Sequence, residues 1–373
     1  MMDFAIAGVQ VPAFLLIFTG ITVGIVGGFI GVGGGYMVTP ALVVFGFPGY
    51  MASGTDLTHI AGKGVISTIR HRSLGNIDWT LGLSMVAGTE LGVEIGTRIL
   101  TWTKELGLST VAVLTASLIV MVSLFIYTQI ETSRSHKQLM AKLASGEKIG
   151  REFQTSRIPH FLQRIPFRPI VKCQTARVAI SMWVIVLVGL FTGALAGFLG
   201  VGGGFIRVPA LVYLVGASSH IAVGTDLLEI VFSGSYGALR HAMQGNVDFS
   251  AVMLMLTGAL FGAQFGSIIT AYVRGPAIRY ILGYSLMLAS LGAALPLINT
   301  LTGGSIPILA VLAIVLTLGQ MIFLCGFILE IFYLALRANR GKWVPEWVVP
   351  LVVKAEEKTE HIDIEKELAE VRG

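Results

Sequence analysis

The stretch GVGGGYMVTP at residues 31–40 lies in a long apolar part of the chain, and it returns as GVGGGFIRVP at residues 200–209. Three consecutive glycines do not sustain a helix at low cost, because glycine loses more backbone freedom on folding than any other residue. The repeated stretch therefore predicts two helix breaks. Both fall between apolar segments, which is the first indication of the fold class.

Charged residues are scarce along the chain and are absent from its longest apolar runs. Only 13% of the 373 residues are charged and 54% are hydrophobic, whereas soluble domains carry about 25% charged residues. Runs without Asp, Glu, Lys or Arg cover residues 4–55, 106–130, 178–206, 249–273 and 280–329. A helix needs about 20 apolar residues to cross a bilayer, so the sequence predicts an all-α polytopic membrane protein.

The two halves of the chain are copies of one template. The glycine blocks align at an offset of 169 residues, and GTDLTHI at 54–60 aligns with GTDLLEI at 224–230 at an offset of 170, so the second half contains one inserted residue. Two further pairs follow in the same order, IRHRSLGNIDW with LRHAMQGNVDF and GTELGVEIG with GALFGAQFG. Internal repeats of this kind are typical of secondary transporters.

Hydropathy predicts five helical segments in each half. They cover residues 11–32, 36–47, 56–72, 79–100 and 107–129 in the first half, and 178–199, 204–216, 222–242, 249–270 and 276–298 in the second. The second segment of each half is too short to cross a bilayer at about 1.5 Å per residue. It is interpreted as a half-helix or as part of a re-entrant hairpin. A final segment covers 305–336, and a break at Gly319-Gln320 would change the topology.

The segments divide the chain into five parts. These are a first transmembrane repeat (1–130), a basic cytoplasmic loop (131–177), a second transmembrane repeat (178–300), a C-terminal transmembrane helix (301–337) and a charged cytoplasmic tail (338–373). The loop holds ten Lys or Arg residues, and positively charged loops stay on the cytoplasmic side. If the short second segment also crosses, the first half has five crossings, which place residue 1 outside and make the two repeats inverted. We expect the chain in a bacterial or archaeal plasma membrane, the cell inner membrane.

The glycine runs do not fit a nucleotide site. A dinucleotide fingerprint needs a preceding strand and a Walker loop needs Gly-Lys-Ser or Gly-Lys-Thr, and neither copy has these features. Unwound backbone in a membrane is tolerated where it is buried in protein or lines a cavity, and a helix that starts there offers free N–H groups to an anion. Two inverted copies therefore predict an anion site near the midplane. Close helix packing by small residues is the alternative.

The duplicated glycine block with its proline, the GTDL block and the Gly-Asn-x-Asp block, arranged around a central loop, resemble the TauE/SafE family of membrane permeases, also called the sulfite exporter or TSUP family. The resemblance covers residues 12–130 and 178–300 and leaves the central loop and the tail unmatched. It implies transport of small sulfur-containing anions, namely sulfite, thiosulfate or sulfonates such as sulfoacetate. Composition and spacing do not indicate that substrate class.

Ten residues at the glycine runs or in the neighbouring segments are predicted to bind the substrate: Gly33, Gly34, Gly35, Thr55, Lys63, Gly202, Gly203, Gly204, Arg207 and Thr225. Lys63 and Arg207 are the expected countercharges, because charged residues within spans are rare and mark a function. Lys63 aligns with Ser233 and Arg207 aligns with Val38, so neither cation has a charged counterpart in the other half. Snorkelling toward a headgroup is the alternative for Arg207.

Five residues are candidates for proton coupling: Asp56, Asp226, His59, Glu90 and Glu94. An ionised aspartate would repel the anion, so the two aspartates have to be neutral, paired or pointed away. His59, which aligns with Glu229, belongs to the residue type that titrates near neutral pH. The i,i+4 spacing of Glu94 and Arg98 favours a structural ion pair, which is the alternative to a proton path.

Two groups of polar residues have a structural alternative as helix caps. Thr55-Asp56 and Thr225-Asp226 are placed at the start of the third segments, where N-capping competes with an anion-binding or proton-binding role. The Gly-Asn-x-Asp turns are predicted to make turns and to cap the fourth segments, through Asn76, Asp78, Asn246 and Asp248.

The leading hypothesis is a secondary transporter, not an enzyme, that binds its anion between the glycine breaks and works by alternating access. An anion channel and a membrane sensor acting through the loop and tail are the alternatives. The seven histidines are scattered and no HExxH motif occurs, so neither a metal nor a cofactor is predicted, and nucleic acid is not an expected partner. The expected partners are the small anion and membrane lipid. A homo-oligomer and a cytoplasmic partner of the 131–177 loop are left open.

Overall fold

The computed structural model describes residues 2–4, 6–144, 158–163, 167–303, 307–345 and 347–353. In these ranges the chain is mostly helical, and six of the helices are long and apolar enough to cross a membrane. The expected polytopic helical membrane protein is therefore confirmed. The predictions for residues 145–157 and 164–166 of the loop, and for 354–373 of the tail, lie outside the described residues.

The first half begins with an antiparallel hairpin and continues with five helices. The hairpin consists of β1 (Met2–Phe4) and β2 (Val9–Val11). The helices are α1 (Ala13–Ile30), α2 (Gly35–Val44), α3 (Gly49–Ser73), α4 (Trp79–Glu105) and α5 (Ser109–Ala144). A short helix, α6 (Ile158–Gln163), lies in the central loop.

The second half repeats this order and adds one helix. Its hairpin consists of β3 (Ile170–Cys173) and β4 (Val178–Ser181). The helical elements are α7 (Met182–Leu199), α8 (Gly204–Ala210) with a π-helical turn (Leu211–Val215), α9 (Ser219–Met243), α10 (Phe249–Ile269) with a 3₁₀ turn (Thr270–Tyr272), α11 (Gly275–Leu301) and α12 (Pro307–Asn339). Helix α12 runs through Gly319-Gln320 without a break.

Some predicted boundaries are wrong. The third segments begin at Gly49 and Ser219 rather than at 56 and 222, because their polar residues are buried inside the protein and do not mark a loop. Thr55 and Asp56 therefore lie within α3 and do not cap it, and the same holds for their counterparts in α9. The first four residues of the predicted 178–199 helix instead form β4, which pairs with β3.

The residue inserted in the second half is accommodated by the π-helical turn. Gly46 and Gly216, which align at the offset of 170, both end this region with a positive φ, of 100° and 94°. The preceding glycine loops align at 169, so the extra residue falls between them and Gly216. A π turn holds one residue more than an α turn. The insertion is therefore absorbed inside the helix, and the loops on either side keep their shape.

Glycines bring the helices of one half against those of the other. Helix α1 packs against α10 through three glycines, with Gly20 against Met255, Gly24 against Ala259 and Gly28 against Ala263. Helix α4 packs against α7 in the same way, with Gly88 against Val186, Gly92 against Leu190 and Gly96 against Ala194. A Cβ at Gly24 would lie 2.8 Å from the carbonyl oxygen of Ala259, closer than side chains approach backbone. Small residues allow such close contact between membrane helices, and here they join the two halves.

Helices α3 and α9 occupy equivalent positions in the two halves and pack against each other. Gly64 lies against Ile230, Ala61 against Gly234 and Leu57 against Gly237. As the residue numbers rise along α3, the numbers of the residues that they contact on α9 fall. The two equivalent helices run in opposite directions where they touch, and the glycine loops lie at this crossing.

Candidate functional site

Each glycine run ends one helix and starts another, so the predicted breaks are confirmed. Gly31 and Gly200 close α1 and α7 in the left-handed conformation, with φ of 83° and 73° and N–H groups that donate to carbonyls four residues back. The following glycines also have positive φ, between 68° and 73°, a region that favours glycine. These positions are Gly33, Gly34, Gly202 and Gly203.

The two glycine loops meet each other in the interior. A Cβ at Gly35 would lie 2.8 Å from the Cα of Val201, and a Cβ at Gly204 would lie 2.9 Å from the carbonyl oxygen of Val32. Ile60 of α3 contacts both Gly33 and Gly202. The predicted convergence of the two breaks is therefore present, and the loops leave no room for side chains where they touch.

A buried cation lies beside the same glycine in each loop. A Cβ at Gly34 would lie 3.4 Å from Lys63 Nζ, and a Cβ at Gly203 would lie 3.1 Å from Arg207 Nη2. Gly34 and Gly203 are equivalent in the repeat, yet Lys63 comes from α3 and Arg207 from α8. Two cations that do not align in sequence thus reach matching places, and they are only 2% and 0% exposed.

The cluster around Lys63 has few hydrogen bonds. Thr39 of α2 donates to Asp56 Oδ2 over 2.9 Å, and His59 Nδ1 lies 3.7 Å from Asp56 Oδ1. Lys63 Nζ and both nitrogens of His59 have no hydrogen-bond partner among the described residues. An ammonium group that is buried without a hydrogen bond is costly, so this group is available to a ligand.

The cluster around Arg207 is more tightly bonded. Its Nη1 donates to Asp226 Oδ1 over 3.0 Å and also contacts Glu229 Oε2. Its Nε donates to the hydroxyl of Thr192 over 3.3 Å, and Ser233 donates to Glu229 Oε2 over 3.0 Å. Arg207 is therefore buried among polar groups and does not snorkel to a headgroup. Its Nη2 and one oxygen of each carboxylate have no partner among the described residues.

Thr55 and Thr225 face the turns of the opposite half rather than the two charged clusters. The N–H of Asp248 donates to Thr55 Oγ1 over 3.0 Å, and the N–H of Asp78 donates to Thr225 Oγ1 over the same distance. Each aspartate in turn caps its helix, accepting from Leu81 and Ala251, so the predicted caps at Asp78 and Asp248 are confirmed.

Glu90 and Glu94 lie one turn apart on a partly exposed face of α4, outside both clusters. Glu94 accepts from Arg98 Nε over 2.8 Å, which confirms the predicted ion pair. It also accepts from Tyr236 and Arg240 of α9. The carboxylate therefore joins α4 to α9 at the side of the bundle.

Several polar residues of the clusters were given no role by sequence reasoning. They are Thr39, Thr192, Glu229 and Ser233. A signal existed for Glu229, because the i,i+3 spacing from Asp226 puts both carboxylates on one face of a helix. Within the described ranges, no group of three or more His, Cys, Asp or Glu residues is placed to hold a metal ion.

Comparisons with known proteins agree with the membrane fold. Residues 16–295 match the family described as Sulfite exporter TauE/SafE. The chain is 25% identical over 285 residues to the probable membrane transporter protein YunE of Bacillus subtilis, covering 74% of this chain and 94% of that protein. It is 23% identical over 286 residues to the probable membrane transporter protein MJ0441 of Methanocaldococcus jannaschii, covering 72% and 90%.

A shorter match has higher identity. The chain is 39% identical over 80 residues to the probable membrane transporter protein YjnA of Bacillus subtilis, covering 21% of this chain and 31% of that protein. No solved structure matches the chain. Family membership therefore rests on the sequence, and the site geometry rests on the structure described above.

Proposed function

Because the chain belongs to the TauE/SafE sulfite exporter family of membrane transporters, we propose that it is a secondary transporter for a small sulfur-containing anion: sulfite, thiosulfate or an organosulfonate such as sulfoacetate. The observation that carries this proposal is the meeting of two glycine loops, each beside a buried cation, Lys63 or Arg207. No part of the proposal requires a cofactor or an enzymatic step.

The anion binds where the two loops meet, with Lys63 as its main countercharge. The ammonium has no hydrogen-bond partner among the described residues, and it lies beside the backbone of Gly34. Helix α2 begins beside this point at Gly35, so its first N–H groups and its dipole favour negative charge. Glycines 33–35 and 202–204 supply the backbone, and Arg207 supplies the second positive charge.

The two halves act as inverted repeats that move against each other. Equivalent helices α3 and α9 cross in opposite directions at the glycine loops, which supports this arrangement. A site at the interface of inverted repeats is the usual basis of alternating access. The ten cationic residues of the 131–177 loop support a cytoplasmic loop and C-terminus, with the N-terminal hairpin outside.

Protons accompany the anion through residues in the core. Asp56 and His59 lie close to each other on the same face of α3 as Lys63, and Asp226 lies against Arg207. A transporter needs such groups for coupling, whereas an anion channel does not. Glu94 has three donors around it, which suits a structural bond between α4 and α9, so we place the coupling in the core.

Flux in reconstituted liposomes tests the proposal. We expect saturable uptake of sulfite, thiosulfate or sulfoacetate, faster with an inward proton gradient, and sulfate serves as the comparison anion. Lys63→Gln is expected to lower uptake by at least about tenfold, since losing one charged hydrogen bond in a closed site removes about 1.5–3 kcal/mol. Unsaturable flux that ignores the gradient would favour the channel, and no flux of any anion would remove the substrate assignment.

A further inference from the structure

The two clusters around Lys63 and Arg207 contain more acidic than basic groups. Three carboxylates, those of Asp56, Asp226 and Glu229, are 0% exposed, against the two cations Lys63 and Arg207. If all five groups were ionised and His59 were neutral, the two clusters together would carry one excess negative charge. A single uncompensated charge in an apolar interior is expensive. An anion that entered this core would add to that excess.

The excess lies in the second half. In the first half, Lys63 lies two turns beyond Asp56 on the same face of α3, and Thr39 donates a hydrogen bond to Asp56. The charge of this one carboxylate is therefore matched by one cation. Asp226 and Glu229 instead share a single nitrogen, Nη1 of Arg207. One guanidinium balances the charge of one carboxylate, and two carboxylates that share a site do not both ionise readily.

The free atoms of this cluster point to a proton. Asp226 Oδ2, Glu229 Oε1 and Arg207 Nη2 are all buried and have no hydrogen-bond partner among the described residues. A protonated carboxyl presents an O–H donor that an ionised one lacks, so one proton between these two acids removes the excess negative charge and supplies a donor.

We propose that Asp226 and Glu229 together hold one proton at rest, and that an anion of single negative charge, such as hydrogensulfite, enters the core together with one further proton. This inference rests on the proposed function and adds its coupling site. When an anion binds, a proton from water converts the remaining carboxylate of the pair to a carboxylic acid, and Arg207 exchanges its carboxylate partner for the anion. On release both leave. Transport is therefore electroneutral.

Other titratable groups on the elements around Glu229 have partners of their own or belong to the first half. They are Arg207 of α8, Asp56, His59 and Lys63 of α3, Glu94 of α4, and Asp226, Tyr236, Arg240 and His241 of α9 itself. Glu94 is bonded to Arg98, Tyr236 and Arg240, and His241 Nε2 bonds to the carbonyl of Gly197 over 3.1 Å. Among these groups, the Asp226–Glu229 pair is the one in which two carboxylates share a single cation.

Infrared spectroscopy of the purified full chain tests the proton without any substrate. A protonated carboxyl has a carbonyl stretch that an ionised carboxylate does not. We expect this band near neutral pH in the wild type and its loss in both Glu229→Gln and Asp226→Asn, because each variant leaves one carboxylate for one guanidinium. The band should persist in Glu94→Gln. Absence of the band, or its loss only in Asp56→Asn, would overturn the proposal.

Accumulation of labelled sulfite in liposomes tests the coupling. For each proton coupled, a gradient of one pH unit supports about tenfold accumulation, the factor that corresponds to about 1.4 kcal/mol. The double variant Asp226→Asn/Glu229→Gln has no carboxylate left to take up the coupled proton, so it is expected to reduce gradient-driven accumulation to about onefold. Glu229→Gln alone keeps Asp226 and should retain accumulation, whereas a merely structural residue would change the amount of folded protein and not this ratio. Wild-type accumulation in the folded double variant would overturn the coupling role.

The two readouts separate this inference from the function on which it rests. If the wild type moves no sulfite, the substrate assignment fails, and the infrared band still decides whether the pair holds a proton. A potassium diffusion potential set with valinomycin should leave wild-type accumulation unchanged. A strong dependence on that potential would contradict electroneutral transport.

Discussion

The two halves share a backbone but differ in their charges. Gly34 and Gly203 have nearly the same φ, 73° and 70°, and each lies beside a buried cation. In the first half that cation is Lys63 from α3, whereas in the second half it is Arg207 from α8. The repeated sequence sets where the helices break at the glycine loops. The side chains that differ between the halves determine the charge and hydrogen bonding beside each loop.

The partners of the two cations differ even more. Arg207 reaches two carboxylates and a hydroxyl, while Lys63 Nζ has no hydrogen bond among the described residues. A duplicated backbone therefore carries one cation with three bonded partners and one cation with none among the described residues. In the proposed transporter the first belongs to the coupling site and the second to the anion.

The largest expected effect is a difference in protein stability between a variant that lacks Arg207 and a variant that lacks Lys63. Arg207→Gln leaves two buried carboxylates without a cation, and we expect it to lower the free energy of unfolding by about 3–5 kcal/mol. Lys63→Gln removes no hydrogen bond and leaves one carboxylate, that of Asp56, without its cation. It should therefore cost less stability than Arg207→Gln, by about 1.5–3 kcal/mol, the value of one charged hydrogen bond. Thermal unfolding of both variants in the same detergent measures the difference. Equal losses would mean that the clusters are energetically alike.

The next effect concerns the backbone that the halves share. A Cβ at Gly200 would meet the backbone of Ser53, and one at Gly31 would meet Val223. Because a left-handed non-glycine residue costs about 1–2 kcal/mol and overpacking about 1–3 kcal/mol, we expect Gly200→Ala and Gly31→Ala each to destabilise by about 2–5 kcal/mol.

The matched control for this pair is Gly245→Ala. Gly245 has a similar φ of 67°, but nothing lies within 4 Å of its Cβ position. Only the conformational part of the cost should remain, about 1–2 kcal/mol. A melting temperature of Gly200→Ala equal to that of Gly245→Ala would show that Gly200 is not in close contact with Ser53 of α3.

A smaller loss of stability is expected where a threonine of each half accepts a hydrogen bond from a turn of the other half. Thr55→Val and Thr225→Val each leave a buried N–H, of Asp248 and Asp78, without its acceptor, at a cost of about 1–3 kcal/mol. The two losses should be similar, because the hydrogen bonds match in length. Thr58→Val is the control, since Thr58 bonds only its own helix through Gly54. Unequal losses in thermal unfolding would contradict the symmetry of these contacts.

The last prediction costs no stability and tests the inverted arrangement. Gln10 of β2 and Ala179 of β4 are equivalent exposed residues, and inversion places them on opposite sides of the membrane. In intact cells, an impermeant maleimide should label Gln10→Cys and not Ala179→Cys. Cys173 and Cys325 are buried, so the wild-type chain gives the background. Labelling of both variants from one side would contradict inversion.

Much of the fold could be predicted from the sequence because it depends on local patterns. Charge-free runs mark the spanning helices, and the glycine runs mark the two breaks. The hairpins β1–β2 and β3–β4 were missed, because short apolar strands that run into an apolar helix have no pattern of their own. The start of α3 was misplaced because Ser53, Thr55 and Asp56 look like loop residues but are buried.

The site could be predicted only in part, because its key contacts join distant segments. In the alignment of the two halves, neither Lys63 nor Arg207 has a charged counterpart. Folding nevertheless places them beside the equivalent glycines Gly34 and Gly203, which the alignment does not predict because Lys63 lies on α3 and Arg207 on α8. Thr55 looked like a ligand residue, but its acceptor role toward Asp248 spans 193 residues. Such pairings depend on how the halves cross.

Binding of sulfite to the purified protein, measured by titration calorimetry, tests most directly whether the anion sits at Lys63. We predict saturable binding to the wild type, at least about tenfold weaker binding to Lys63→Gln, and partial recovery in Lys63→Arg. Arg98→Gln, which removes a cation that is 75% exposed on α4, should bind like the wild type. Unchanged affinity in Lys63→Gln would contradict an anion site between the glycine loops.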